Sequence, residues 1–484
     1  MFTYFLSIES LQKSVGLLDK CAATIQNFYN GNISSDDTEL INSGTYNDGI
    51  MHKNPFLKTL VDCFYVEDFR IDRAPKTASE QSIVTIYKTG VDTTELLSRL
   101  GINMISAKMI DETTLRMEKE EIDILCDKAP YLIAMSVKNF AEIDYDITDS
   151  EDYEEQLTIV KPGNEPVVGV IDTQFDKRVY FGDWVEYQKC ISDDIELHAE
   201  DYFHGTAVTS IIVDGPSFNP NLQDNCGNFR VRHFGVATAG RFSSFAILKQ
   251  IRDIVRKNRD IKVWNLSLGS KNEIRENFIS PEAAELDRIQ SEFDVIFVVA
   301  GTNTPDGLKH PEMKVGAPAD SLNSLVVNSV DMYGKSASYS RRGPVLSFFH
   351  KPDICYYGGD GTKADGKIAV CADELGAIFL SGTSFAAPWI TRKLAYLIYV
   401  MGLSREVAKA LIIDAAAKWG TNGYISDAIG YGIVPKRIED ILNTSEDEIK
   451  FIITGTTEDY ETYNYKLPVP VVNGKHPYLS LIHI

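Results

Sequence analysis

Cysteine is sparse and unpatterned in this chain. Seven cysteines (Cys21, Cys63, Cys126, Cys190, Cys226, Cys355, Cys371) are scattered over 484 residues, odd in number and without a Cys-x-x-Cys pair. That argues against a disulfide framework and fits free thiols in a reducing compartment. Basic residues are also short, since 48 Lys and Arg stand against 69 Asp and Glu for a net charge of −21. A chain this acidic is a poor partner for nucleic acid or an anionic membrane, although the charge also serves plain solubility. No apolar run approaches the ~20 residues a membrane span needs. The N-terminus, Met1 to Glu9, has no basic n-region and no small-residue cleavage site, so no secretory signal is read there and the expected location is the cytoplasm. The eight histidines include no His-Glu-x-x-His spacing, which argues against a zincin-type metal site, and no nucleotide-cofactor motif stands out.

What is present is a serine in an unusual setting. In Gly382-Thr383-Ser384-Phe385-Ala386-Ala387-Pro388 the serine sits among small residues that let a substrate backbone approach, and a mostly apolar run from Trp389 to Met401 follows. This mounts a nucleophile at the start of a helix, where free N–H groups and the positive end of the dipole stabilise an alkoxide and a developing oxyanion. Pro388 is expected within the first turn, where its missing N–H costs little. A serine needs a base and a group that orients the base. Val167-Val168-Gly169-Val170-Ile171-Asp172 is a buried-strand run ending on a carboxylate, and His204-Gly205-Thr206 follows 32 residues later. Asp, His, Ser is one of the chain orders in which such a triad occurs.

In these motifs the chain resembles the subtilisin-like serine proteases, the subtilase family, from about Val167 to Pro435. The resemblance implies that Asp172 holds the imidazole, that His204 is general base and then acid, and that Ser384 attacks the carbonyl. It implies an oxyanion hole made by Ser384 and by the side-chain amide of Asn303, which follows the apolar strand ending Ala300-Gly301 and lies 99 residues after His204. It also implies that Ser267, Leu268 and Gly269, with Ala300 and Gly301, bind an extended polypeptide by main-chain pairing. The family often binds structural calcium, but no oxygen-ligand loop is identifiable and no cofactor is required. Four departures bear on local geometry: Gln174, Thr302 and Ser210 stand where glycine is usual, and Arg392-Lys393 where small residues are usual.

Upstream, residues 1–75 show one amphipathic helix, Ile8 to Tyr29, with Leu11, Val15, Leu18 and Ile25 near helical spacing. Residues 76–141 read as a ferredoxin-like βαββαβ module: strands at Ser82–Tyr87, Met104–Lys108, Thr113–Met117 and Tyr131–Val137, helices from Asp92 to Leu100 and from Glu120 to Asp127. Its position resembles that of an inhibitor-type propeptide. Between Glu142 and Glu155 stand eight acids and no base, a solvated linker (residues 142–163), and autoprocessing is expected between Phe140 and Asn164.

From 164 to 442 strands (Val167–Ile171, Val263–Leu268, Val295–Ala300, Leu325–Val330) alternate with helices (Phe242–Arg256, Pro281–Phe293, Ser384–Met401, Arg405–Lys418). This predicts an α/β fold, a doubly wound parallel sheet with sites at strand carboxyl ends. Residues 443–478 read as the start of a truncated β-rich appendage, with strands at Ile449–Ile453 and Tyr463–Val472. Leu479 to Ile484 reads like a translated sequencing adapter and is set aside.

The expected function is that of a serine endopeptidase, with the N-terminal module as its intramolecular inhibitor. The second reading is a catalytically silent subtilase fold that binds within a larger assembly, an ATPase being its candidate partner.

Overall fold

The computed structural model describes residues 8–64, 81–89, 91–102, 109, 112–129, 133–137, 157–239, 244–270, 272–275, 277–304, 313–360, 366–416, 426–444 and 450–456. The expected strand Met104–Lys108, the acidic stretch Glu142–Glu155 and the expected strand Tyr463–Val472 lie outside these residues. The chain divides into two units, Met1–Ile441 and Leu442–Ile484.

The first unit opens with helices α1 (Ile8–Phe28), α2 (Ser35–Asn42) and α3 (Lys53–Phe64). They close around Cys21, Ile41, Met51 and Phe56, with Tyr29 stacked on Phe56. Only the C-terminal part of the α1 stripe is used this way. Leu11, Val15 and Leu18 are 51%, 47% and 41% exposed, so the expected amphipathic face is covered over half its length.

The chain then forms β1 (Gln81–Ile86), α4 (Thr93–Arg99), β2 (Thr114–Glu118), α5 (Lys119–Lys128) and β3 (Ile133–Val137), in an antiparallel sheet of order β2-β1-β3. Asp92 caps α4 by accepting from the Glu95 N–H at 3.0 Å, the N-cap role its short carboxylate suits. Val84, Leu97, Leu115, Met117 and Leu125 form the core of this module. Ile83, on β1, packs instead on Leu248 of the larger domain.

That domain contains β4 (Val167–Asp172), β5 (Val185–Lys189), α6 (Glu200–Phe218), β6 (Arg230–Gly235), α7 (Ser244–Lys257), β7 (Val263–Leu266), α8 (Pro281–Phe293), β8 (Ile296–Ala300), β9 (Leu325–Val330) and β10 (Ile354–Tyr357). A hairpin of β11 (Ile368–Asp373) and β12 (Gly376–Leu380) leads into α9 (Thr383–Ala395), then α10 (Arg405–Ala416) and α11 (Glu439–Leu442). Seven strands pair in parallel in the order β10-β9-β8-β7-β4-β6-β5. Both faces of the inner strands are buried, which is why they read as unbroken apolar runs. Trp264 on β7 lies between Phe234 and Phe297 at 5.8 and 6.1 Å, and its indole covers Gly169, where any Cβ would overlap the ring.

Two expectations need correction. Pro388 is the sixth residue of α9, in the second turn rather than the first. The carbonyl it cannot serve, that of Ser384, accepts from the Ser267 hydroxyl at 3.4 Å instead, so the helix continues. In the second unit, residues 450–456 carry neither helix nor strand, and Phe451, Ile452 and Ile453 are 45%, 40% and 45% exposed. A strand needs a ladder partner, and no described segment of that unit offers one.

Candidate active site

The parallel sheet brings the carboxyl ends of β4, β7 and β8 to one edge, and the side chains singled out in the sequence gather there. Asp172 ends β4 and is fully buried, and His204 lies in the first half of α6, 1% exposed. His204 Nδ1 is 2.6 Å from Asp172 Oδ1, and the Thr173 N–H donates to the same oxygen at 2.7 Å. The Gly205 N–H donates to Thr173 Oγ1 at 2.8 Å, which ties the start of the histidine segment to the aspartate loop. A Cβ at Gly205 would stand 2.6 Å from the Gln174 carbonyl oxygen and 2.8 Å from that of Thr173, so only glycine permits this approach.

Ser384 is the second residue of α9, whose N-cap Gly382 is extended and supplies no side-chain bond. In the first turn the Phe385 N–H donates back to the Gly382 carbonyl at 3.1 Å, and Ser384 stands at the positive end of the helix dipole. Ser384 Oγ donates to the Ser267 carbonyl at 3.3 Å, and the His204 ring lies 6.0 Å from that of the adjoining Phe385. Asn303 follows β8. Its Oδ1 accepts from both the N–H and the hydroxyl of Thr383, at 3.1 and 2.8 Å, which identifies the oxygen end of the amide. The Nδ2 end therefore faces Gly382, 3.4 Å from where a Cβ would be. Arg341 holds the Asn303 backbone by donating to its carbonyl at 2.8 Å.

Ser267, Leu268 and Gly269 continue β7 beyond its last ladder residue toward Ser384. Leu266 and Leu268 border an apolar recess shared with Ile247, Leu248, Ile251 and Leu286. Ala300 ends β8 and Gly301 follows it toward Asn303, with the Gly301 N–H donating to Val327 O at 2.9 Å.

Each departure from the family pattern has a local counterpart. Gln174 is fully buried; its Nε2 donates to Ala237 O at 2.7 Å, and its Oε1 accepts from the Tyr187 hydroxyl at 2.6 Å. Ser210 Oγ donates to Ala207 O and accepts from the Cys371 N–H at 3.0 Å, joining α6 to β11. Thr302 has φ +68°, a left-handed conformation costly for a β-branched residue, which is the physical reason glycine suits this place. Its hydroxyl donates to Gly301 O and accepts from the Gly316 N–H at 2.9 Å. Arg392 is 1% exposed and donates to both oxygens of Asp224, at 2.7 and 3.0 Å, and to the carbonyls of Ile212 and Gly227. Lys393 donates to the Lys436 carbonyl.

One residue escaped the sequence reading. His233, on β6, is fully buried against Phe175 and contacts Thr173, next to Asp172. The signal was a lone imidazole inside the strand run Val231 to Gly235. Among the described residues no group of three or more His, Cys, Asp or Glu side chains is arranged to hold a metal ion. No described helix is long and apolar enough to cross a membrane.

The seven-stranded parallel sheet and its flanking helices are those of a subtilisin-like α/β protein. The Peptidase_S8 model of the subtilase family matches residues 163–432, more than half of the chain, and the chain belongs to that family. Among solved structures it is similar to the epidermin leader peptide processing serine protease (EpiP) of Staphylococcus aureus, with 17% identity and a TM-score of 0.52 over 77% of this chain and 100% of that one. A serine-to-alanine mutant of EpiP gives 16% identity and 0.51 over 75% and 99%. At such identity the likeness is one of fold. No curated protein sequence matches the chain.

Proposed function

We propose that this protein is a serine endopeptidase that hydrolyses polypeptides through an acyl-enzyme. The observation that carries the reading is the buried Asp172–His204 contact of 2.6 Å at the same sheet edge as a helix-mounted serine. The substrate backbone lies along Ser267 to Gly269 and past Ala300 and Gly301. Ser384 Oγ turns from the Ser267 carbonyl to His204 Nε2, gives up its proton there and attacks the scissile carbonyl carbon. Asp172 keeps the Nδ1–H tautomer and stabilises the imidazolium. The new oxyanion is received by the Ser384 N–H at the helix start and by Asn303 Nδ2. His204 then protonates the leaving amine, and water repeats the sequence on the ester to release the acid and restore Ser384. No step needs a metal or an organic cofactor.

The proposal extends to the N-terminal module as an intramolecular inhibitor. The contact of Ile83 with Leu248, a lining residue of the apolar recess beside Leu268, supports it. Autoprocessing between Phe140 and Asn164 would free the site, and the setting is the cytoplasm. An ATPase partner belongs to the alternative of a silent scaffold, which the reactive side chains at this edge disfavour.

The test is intact mass and fluorophosphonate labelling of the native chain beside Ser384→Ala. The proposal expects labelling at Ser384 and loss of an N-terminal piece from the native chain alone. A native chain that stays whole yet labels keeps the protease and loses the autoprocessing. Failure of folded native protein to label would return the chain to the silent scaffold.

A further inference from the structure

We infer that His233 is a positioning residue for the Asp172–His204 pair, its imidazole tying the loop that orients the carboxylate to the helix that carries the histidine. This rests on the serine-protease reading above.

His233 stands on β6 in register with Val170 on β4. Its Nε2 lies 2.8 Å from the Thr173 carbonyl oxygen, which can only accept, so Nε2 carries the proton. Nδ1 is then the acceptor for the Thr209 hydroxyl at 2.9 Å. Thr173 is the residue whose N–H addresses Asp172 Oδ1 and whose hydroxyl accepts from the Gly205 N–H. Thr209 is five residues beyond His204 on α6. The bonds therefore close a ring: His204 to Asp172, Asp172 to Thr173, Thr173 to His233, His233 to Thr209, and back along the helix to His204. With Thr173 held at its N–H, hydroxyl and carbonyl, the loop that meets Asp172 Oδ1 is tied to both β6 and α6.

The ring works only with a neutral imidazole, because a protonated Nδ1 would lose its acceptor role toward Thr209. Burial pushes His233 away from its charged form; Asp172 on β4 pulls the other way, and a charged His204 on α6 would disfavour it further. Tyr187 on β5, with its ring 5.9 Å away, is a further titratable side chain that faces it. His233 thus keeps its tautomer while His204 takes up and releases a proton.

A buried histidine that only fills space would affect stability and nothing else. The experiment therefore measures the second-order rate of fluorophosphonate labelling of Ser384 against pH, corrected for the folded fraction, in the full chain. His233→Leu keeps apolar volume and removes both bonds, His233→Gln keeps an N–H donor near the place of Nε2, and Thr209→Val removes only the link to α6. We expect His233→Leu to label about tenfold more slowly, or worse, with a displaced pH midpoint, as small misplacements of a catalytic pair do. His233→Gln should recover most of the rate, and Thr209→Val should displace the midpoint on its own. Wild-type rate and midpoint in both His233→Leu and Thr209→Val would overturn the inference while leaving the protease reading intact. Absence of labelling in the wild type would overturn both. If His233→Leu does not fold, Thr209→Val decides: a displaced midpoint sustains the inference and an unchanged rate and midpoint overturn it.

Discussion

The two halves of the site are held in different ways. Around Asp172 and His204, support comes from polar side chains buried between the end of β4, β6 and α6: Thr173, Gln174, Thr209 and His233 all make bonds while buried. Around Ser384 and Asn303 it depends more on how the backbone runs: an extended glycine cap, a left-handed Thr302, and a second-turn proline that orphans the Ser384 carbonyl, which then accepts from the Ser267 hydroxyl. The difference follows from the elements involved. A strand end meets the side of a helix laterally, here mostly through side chains beside one backbone bond from the Gln174 N–H to the Asp201 carbonyl at 2.9 Å, whereas a nucleophile at a helix start is aimed by how the chain enters that helix. Buried polar contacts of the first kind are costly to leave half-made, and strain of the second kind is local and small.

Substitutions can break or sharpen that contrast. The largest effect is expected behind the nucleophile helix, where Arg392→Met leaves Asp224 buried without its bidentate partner at a cost of about 3–5 kcal/mol, read as a fall in the denaturant midpoint. Burial works to raise the Asp224 carboxyl, but Arg392 outweighs it and holds the group below the usual range. A depressed carboxylate contributes stability that is present above its unfolded pKa and lost as pH falls through the folded value. In Arg392→Met the sign reverses, because protonation relieves a buried lone charge. The stability gap between the two proteins should therefore narrow on acidification, and a constant gap would refute the pairing.

Next in size, Asn303→Ala should lower kcat by about 10²- to 10³-fold with KM little changed, the signature of a group engaged mainly in the transition state. On the lateral half, Gln174→Gly strands the Tyr187 hydroxyl and the Ala237 carbonyl and should cost about 1–3 kcal/mol in thermal or chemical unfolding. The smallest effect is expected at Thr302→Gly, where relief of the left-handed strain offsets two lost hydroxyl bonds and glycine's greater unfolded freedom, leaving a change within about 1 kcal/mol. A large loss there would place the Thr302 hydroxyl among the lateral, bond-borne supports and erase the contrast.

Much of the catalytic domain was legible because its demands are local. Buried parallel strands read as apolar runs, so Leu325–Val330 and the helix Pro281–Phe293 have in the structure the bounds expected of them. The string around Ser384 could be read because a nucleophile open to a substrate backbone needs small neighbours in sequence, and the family pattern marked Asp172, His204 and Asn303 as residues to follow. Other features depended on distant partners. The Pro388 turn could not be placed without knowing that Ser267, 121 residues earlier, lies beneath it. Residues 450–453 look like a strand by composition, yet composition provides no ladder partner. The α1 stripe has the spacing of an amphipathic helix, yet only its far end meets α2 and α3.

By itself, then, the sequence determined the kind of fold, the order of its buried strands along the chain, and which side chains stand at strand and helix ends, since period and local backbone demands are written residue by residue. Only the tertiary structure decided strand order, the closeness of Asp172 to His204, and the burial of Gln174, His233 and Arg392 as bonding groups. Those depend on contacts between segments tens to hundreds of residues apart, and an isolated polar side chain in a sequence does not reveal which distant carbonyl or carboxylate will satisfy it.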